Sequence, residues 1–437
     1  MRKTIASACG GLVLAALSSA AMAESVDAKL LAMLKANGSI TQAQYDELSA
    51  DLAKQPAPAP APAATPTDAS AASKKDLDDF EKKVAWAAKT VVSGDVRARQ
   101  ETIDIQNLDP EQQANRQRVR ARVGFVSQVT DEVEAGVRIA SGNSNDARST
   151  NQDLNNYFVK KDLWLDRAYV NWHPSDVPGL KLIAGKMAQP WVSEDQLIWD
   201  DDINPEGIAA QYSHKVEGVE LFGSTGAFTL QNNVNGNGNQ FTDDLRLISA
   251  QFGTRFTIAD NYKVTLGTSL YHYHLDGESP LVPPNPPATL RLSANGNTTS
   301  QFQLYEGFGQ LDIGGLKVAD MPLPLSFYGQ YVKNPNANGP QSDEDEGWLL
   351  GVKTTIWRFG LNYNYRDVQR NAVVGAFFDS DFAAGFTGSR GSKYQVSYPI
   401  AKNFTFWTTY FRAESNTAST QSGSDVDTWQ IDVVASF

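Results

Sequence analysis

The sequence has a single cysteine in 437 residues, Cys9, and it sits inside an apolar N-terminal run instead of following it. That placement excludes a disulfide scaffold, a thiol nucleophile and a lipid-modified N-terminal cysteine. Histidine is scarce too: only His272 and His274 are close together, sharing a strand face near an outer rim without a carboxylate or cysteine beside them, which is a poor metal site. There is no Gly-x-Ser-x-Gly elbow, phosphate loop or zinc-protease motif, so neither catalysis nor a cofactor is expected. Positive charge is outweighed, 38 Lys and Arg against 50 Asp and Glu, for a net −12 that argues against nucleic acid as a partner. Past the N-terminus no apolar run reaches the roughly 18–20 residues of a helical membrane span. Barrel strands escape that exclusion, because only every second residue faces lipid.

Met1-Arg2-Lys3, an apolar stretch from Ile5 to about Leu17 and the small-residue site Ala21-Met22-Ala23 predict a secretory signal peptide over residues 1–23. Removing Arg2 and Lys3 takes the charge to −12 − 2 = −14 and leaves a mature chain, starting at Glu24, with no cysteine. Residues 24–54 read as a helical hairpin: Leu30, Leu31 and Leu34 precede Asn37-Gly38, and Thr41 caps a second helix carrying Gln44, Tyr45 and Leu48. Residues 55–73 form a Pro/Ala-rich linker with no apolar residues for a core. Residues 74–89 resume a short amphipathic helix through Leu77, Phe80 and Val84, too short to stand alone and so expected to pair with copies of itself or rest on the next domain.

From Thr90 to Phe437 the pattern changes to alternating strands rich in Tyr, Phe, Trp, Thr and Gly. Sixteen are expected, from 90–101 to 426–437, with short and long connections taking turns. The long ones span about 102–115, 142–162, 188–205, 233–244, 275–299, 334–345, 369–390 and 414–425. A barrel assembled from the periplasm has tight periplasmic turns and free external loops, and an even strand number returns both ends to the periplasmic side. Face parity agrees: Phe359, Leu361, Tyr363 and Tyr365 oppose Arg358, Asn362, Asn364 and Arg366, while Ile248, Ala250, Phe252, Phe256 and Ile258 oppose Leu247, Ser249, Gln251 and Arg255. In the strand at 300–313, Tyr305 and Glu306 leave the register open. Tyr271, Trp348, Trp407, Tyr410 and Trp429 suit the aromatic belts at the membrane interfaces. The closing strand alternates Trp429, Ile431, Val433, Ala435 and Phe437 with Gln430, Asp432, Val434 and Ser436. Its terminal Phe437 resembles the signal read by the barrel assembly machinery.

The sharpest charged pattern is Arg116, Arg118, Arg120 and Arg122 at alternate positions, which puts every guanidinium on one strand face; Arg97 and Arg99 repeat it one strand earlier and Arg138 follows across the next hairpin. With the apolar face toward lipid, these arginines line the lumen and lower the cost of passing an anion. The opposing wall or constriction is sought at Asp200, Asp201 and Asp202 in the third long loop, or at Asp343, Glu344, Asp345 and Glu346 in the sixth. Solvated clusters, or clusters holding divalent ions near lipopolysaccharide, remain the alternative for both.

The helical start Leu30-Leu31 to Gly38-Ser39-Ile40-Thr41, the strand Val92-Ser93-Gly94-Asp95-Val96-Arg97-Ala98-Arg99 and the segment Trp199-Asp200-Asp201-Asp202-Ile203-Asn204-Pro205-Glu206-Gly207 together resemble the Gram-negative "putative porin" outer-membrane family. The resemblance implies a 16-stranded antiparallel up-and-down β-barrel in the bacterial outer membrane, behind a short periplasmic helical or coiled-coil segment. It implies a passive channel for small hydrophilic solutes, and porins for phosphate-type anions, with their coiled coil and basic lumen, are the nearest functional analogue. Expected partners are those solutes, outer-membrane lipid and lipopolysaccharide, the assembly machinery and further copies in a homotrimer. An outer-membrane barrel enzyme or adhesin working through the long loops is the competing reading.

Overall fold

The computed structural model describes residues 35, 41–53, 79, 87–106, 112–144, 146–232, 244–275, 295–416 and 423–437. The signal peptide, the Pro/Ala-rich linker and most of both the first helix of the hairpin and the short amphipathic helix lie outside these residues. The chain divides into two units, Met1–Asp79 and Phe80–Phe437. In the first, α1 (Gln42–Ala53) starts where the sequence places it. Thr41 N donates to Gln44 Oε1 at 2.9 Å and Gln44 N to Thr41 Oγ1 at 3.4 Å, a reciprocal cap that satisfies two of the helix's free amides.

In the second unit the described residues form sixteen long strands, besides the two-residue strands Gln152–Asp153, Lys317–Val318 and Met321–Pro322: β1 (Thr90–Ile105), β2 (Gln112–Thr130), β3 (Val133–Ser141), β4 (Leu163–Trp172), β5 (Leu180–Lys186), β6 (Glu206–Val216), β7 (Val219–Gln231) and β8 (Leu245–Ala259), then β9 (Tyr262–Leu275), β10 (Gln303–Ile313), β11 (Leu325–Lys333), β12 (Glu346–Ile356), β13 (Phe359–Val368), β14 (Ser389–Ala401), β15 (Phe404–Ser415) and β16 (Ser424–Ser436). Each pairs antiparallel with its chain neighbours, and β16 returns to β1 through Asp95↔Ser436 to Ile105↔Val426. The sheet closes on itself, so no edge strand remains. At the seam Gly94 and Phe437 exchange both backbone hydrogen bonds at 3.0 Å. A Cβ at Gly94 would collide with the Arg122 carbonyl and the Phe437 ring, so the position requires glycine.

The structure settles the register left open at β10. Tyr305 faces outward, whereas Glu306 is buried inside, accepting from Ser269 Oγ at 2.6 Å and Gln330 Nε2 at 2.9 Å. Outer faces carry Ile248, Phe252, Leu350, Tyr363 and Trp429, all exposed as a lipid-facing surface requires. Two of the five expected belt aromatics are elsewhere. Tyr271 is 1% exposed on the inner face, and Trp407 shares the inner face of Thr409 and Phe411. Strand parity governs them, not nearness to a strand end.

The apolar core lies inside the barrel. Leu197, Ile198, Trp199 and Ile203 of the 187–205 connection pack with Phe228, Leu245, Leu247, Tyr271 and Tyr273 of β7–β9, and with Phe378 and Phe382 of the 369–388 connection. Two of the long connections therefore fold into the lumen, driven by burial of aromatic and aliphatic surface at roughly 25 cal/mol per Å².

Candidate functional site

The first infolded loop is pinned by aromatic rings. Trp191 and Trp199 lie 4.8 Å apart, each 5.3 Å from Tyr271 at a steep angle, and Trp199 stacks on Phe377 of the second loop at 5.4 Å. Such edge and offset contacts add about 0.5–1.5 kcal/mol per pair beyond burial. The loops are also tied by polar groups: Asp200 N donates to Phe377 O at 2.8 Å, and Asp200 Oδ2 accepts from Ser380 N at 2.9 Å. Arg148 Nη1 donates to the carbonyls of Gly375 and Gly385, both at 3.1 Å, and so holds both ends of the second loop's inward turn. Arg366, wholly buried, bridges Asp379 at 2.8 Å and Asp195 at 3.5 Å, one acid from each loop.

Against these loops stands the arginine wall. The β1–β2 register sets Asp95 opposite Arg122, Arg97 opposite Arg120, Arg99 opposite Arg118 and Glu101 opposite Arg116. Like charges side by side must be neutralised, and most are. Arg99 grips Asp432 of β16 with two bonds of 2.8 and 2.9 Å and reaches Asp381 at 3.1 Å. Arg116 pairs with Glu101 at 2.5 Å, Arg118 with Asp153 at 2.8 Å, and both Arg120 and Arg122 with Asp95 at 2.7 Å. Arg138 pairs with Asp166. Arg97 differs: Nη2 donates to Asn151 Oδ1 at 2.6 Å, Nε is buried without a partner, and no carboxylate among the described residues lies within ion-pair distance.

Two cavities flank this wall. The larger, about 600 Å³, is lined by Arg116, Arg118, Arg148, Lys160, Lys161 and Asp381 among others. The smaller, about 290 Å³, is lined by Arg97, Arg99, Arg120 and Lys393 and by Asp201, Asp379, Asp381 and Asp432, four cations and four carboxylates. Asp381 borders both. Opposite charges on facing walls give a field across the passage instead of one net sign along it.

The residues expected from the sequence separate on this geometry. Arg97, Arg99 and Arg120 border the smaller cavity and Arg118 the larger, while Arg122 is drawn to Asp95 and Asp202, and Arg138 to Asp166. Within the triple aspartate, Asp201 alone faces the smaller cavity. Asp202 receives Arg122 at 3.3 Å and Thr150 Oγ1 at 2.9 Å, and Asp200 is the brace between the loops. Asp343, Glu344, Asp345 and Glu346 border neither cavity: Glu346 and Asp345 pair with Lys333 at 2.5 and 3.5 Å, and Glu344 with Arg370 at 3.4 Å. The second acid wall comes instead from Asp379 and Asp381, in a loop whose sequence shows only length. Asp432 was legible on the polar face of the last strand.

The loop carboxyls sense this setting. Burial, then Asp195 nearby, pushes Asp201 up to about 6, and burial likewise raises Asp200 and Asp379. For Asp195 burial pulls the same way, yet Lys393 and Arg366 together overcome it and hold the carboxyl well below the usual range. His272 and His274 stack at 5.8 Å, and no group of metal-binding side chains occurs among the described residues.

Comparison with known proteins agrees with this architecture. OprB of Pseudomonas putida, in its high-pH structure, aligns with 83% of this chain and 97% of its own at 12% identity and a TM-score of 0.51. A mutant porin of Rh. blastica aligns with 80% of this chain and 100% of its own at 10% identity and a TM-score of 0.41. Over 29 residues, 7% of this chain and 74% of the relative, the sequence is 72% identical to phosphate starvation-inducible protein 1 of Pseudomonas fluorescens. Residues 103–281 and 333–437, more than half the chain, match the family described as "Putative porin". The chain belongs to that family: it is a porin-like outer-membrane β-barrel channel.

Proposed function

We propose that this channel passes small hydrophilic solutes by passive diffusion, with a modest preference for anions and strongly polar solutes set by the wall of Arg97, Arg99, Arg118 and Arg120. The carrying observation is the row of guanidinium groups on the inner faces of β1 and β2, facing carboxylates from the two infolded loops across a cavity of about 290 Å³. A cavity this small, near the low end of the roughly 300–1,000 Å³ typical of ligand sites, favours compact solutes. Nearly balanced charges favour orientation over strong exclusion of either sign. The phosphate starvation-inducible relative makes inorganic phosphate the first anion to try. Arg122 and Arg138, held by carboxylates, support the wall's field without facing either cavity. The N-terminal unit belongs in the periplasm in this reading, and Phe437 serves the assembly machinery. The test is ion selectivity of the purified full chain in planar bilayers. Replacing Arg118, Arg120 and Arg122 by Gln should move the reversal potential toward cations; an unchanged potential would remove the arginines from the conduction path.

A further inference from the structure

The smaller cavity is lined by two residues of opposite charge, Arg97 and Asp201, that form no ion pair among the described residues. Arg97 has only the Asn151 amide oxygen at 2.6 Å, while its neighbours Arg99 and Arg120 are held by Asp432, Asp381 and Asp95. Its Nε is buried with no acceptor, and a buried guanidinium donor without a partner is costly. Asp201 is the converse. Its carboxylate receives Gln196 Nε2 at 3.1 Å and no cation within ion-pair distance among the described residues, whereas Asp379, Asp381 and Asp432 in the same cavity face Arg366 or Arg99. The rest of the lining is not uniformly polar. Trp407, Phe411 and Val434 present apolar surface to the same space. Val434 sits beside Arg97 in the β1–β16 register and Asp432 beside Trp407 in the β15–β16 register, so Trp407 stands two strands across and two residues along from Arg97, about 12 Å away at roughly 4.8 Å per strand and 3.4 Å per residue.

We infer that this cavity is a transient binding site for a small zwitterion of the α-amino-acid class with an apolar or aromatic side chain: Arg97 receives its carboxylate, Asp201 its ammonium, and the Trp407–Phe411 surface its side chain. Charge-assisted hydrogen bonds at both ends give Arg97 and Asp201 each an ion partner that the fold does not supply. The side chain covers the part-exposed ring of Trp407, beside the buried Phe411. Neither a simple anion nor a simple cation meets all three surfaces. The assignment rests on the channel reading above and narrows its solute class.

The probe is L-phenylalanine, tested on the full chain in planar bilayers at pH 7.5 against 3-phenylpropanoate, which lacks the ammonium, and 2-phenylethylamine, which lacks the carboxylate. Phenylalanine should interrupt the single-channel current at concentrations at least about tenfold lower than either analogue. Arg97→Gln and Asp201→Asn should each raise its required concentration to that of the analogues, and Trp407→Leu should weaken it less. Equal potency of the three probes on the unsubstituted channel would overturn the inference even if a variant fails to fold, and so would an Asp201→Asn channel that responds unchanged. Folded, heat-modifiable protein that conducts nothing would refute the channel reading itself, a different outcome from a channel that conducts and ignores phenylalanine.

Discussion

The two sides of the lumen are built from opposite materials. Along β7–β9 the inner face carries Phe228, Leu245, Leu247, Tyr271 and Tyr273, and the loop residues Trp191 and Trp199 fill the space against them. Along β1, β2 and β16 the inner face carries Arg97, Arg99, Arg120 and Asp432, and the space stays open as a cavity. The apolar side anchors a loop, and the charged side holds a passage open because ionised groups resist desolvation. The contrast explains how one loop can supply both a packed anchor and, two residues beyond Trp199, a carboxylate that faces the cavity.

The comparison can be broken most severely at the anchor. Trp199→Ala should remove about 3–5 kcal/mol of packing, the usual cost of deleting a buried Trp or Phe. Single-channel conductance should then rise at least twofold and become noisy; an unchanged, quiet conductance would mean the rings do not hold the loop. At the junction of the two sides, Asp379→Asn leaves the buried Arg366 short of one carboxylate. Removing a buried ion partner costs about 3–5 kcal/mol, so the folded band in detergent should be lost at a lower temperature. Replacing Arg366 by Met and Asp379 by Leu together should recover much of that loss.

On the charged side the expected effects are smaller and act on selectivity. The Arg118, Arg120 and Arg122 to Gln variant should shift the reversal potential toward cations by several millivolts in a salt gradient, more at low salt than at high, because screening shortens to about 3 Å at 1 M. The smallest effect concerns pH. Since burial and Asp195 raise Asp201 to about 6, it gains its charge only as pH rises through that value. Anion preference should therefore increase when pH falls from 7.5 to 5, and Asp201→Asn should flatten that part of the response. A slope unchanged by the substitution would show that another group sets it.

The barrel was legible because its pattern is repeated sixteen times: side chains alternate with period two, and tight turns alternate with long connections. The arginine face was legible for the same reason, since alternate positions must share a side. The infolded loops were not. Leu247, Tyr271 and Phe228 share the inner parity of polar residues, so a rule of polar inside and apolar outside blurs where the lumen is packed. Trp407 suits an interfacial belt by its aromatic ring alone, although its parity with Thr409 places it inside. Asp379 and Asp381 gave no local signal, because their position depends on Arg366 in β13 and on Arg99 and Arg148, more than two hundred residues away in sequence. The triple aspartate was a sound place to look, but adjacent residues in an irregular loop point in different directions, and only Asp201 borders the cavity.

The most direct test uses the near absence of cysteine. Cys9, the one native cysteine, lies in the predicted signal peptide, so Arg120→Cys and Ala121→Cys each introduce a single target. A negatively charged, membrane-impermeant thiol reagent added to open channels should lower the current and shift selectivity toward cations for Arg120→Cys, and leave Ala121→Cys unaltered. The opposite pattern would put the arginine face against lipid and contradict the account.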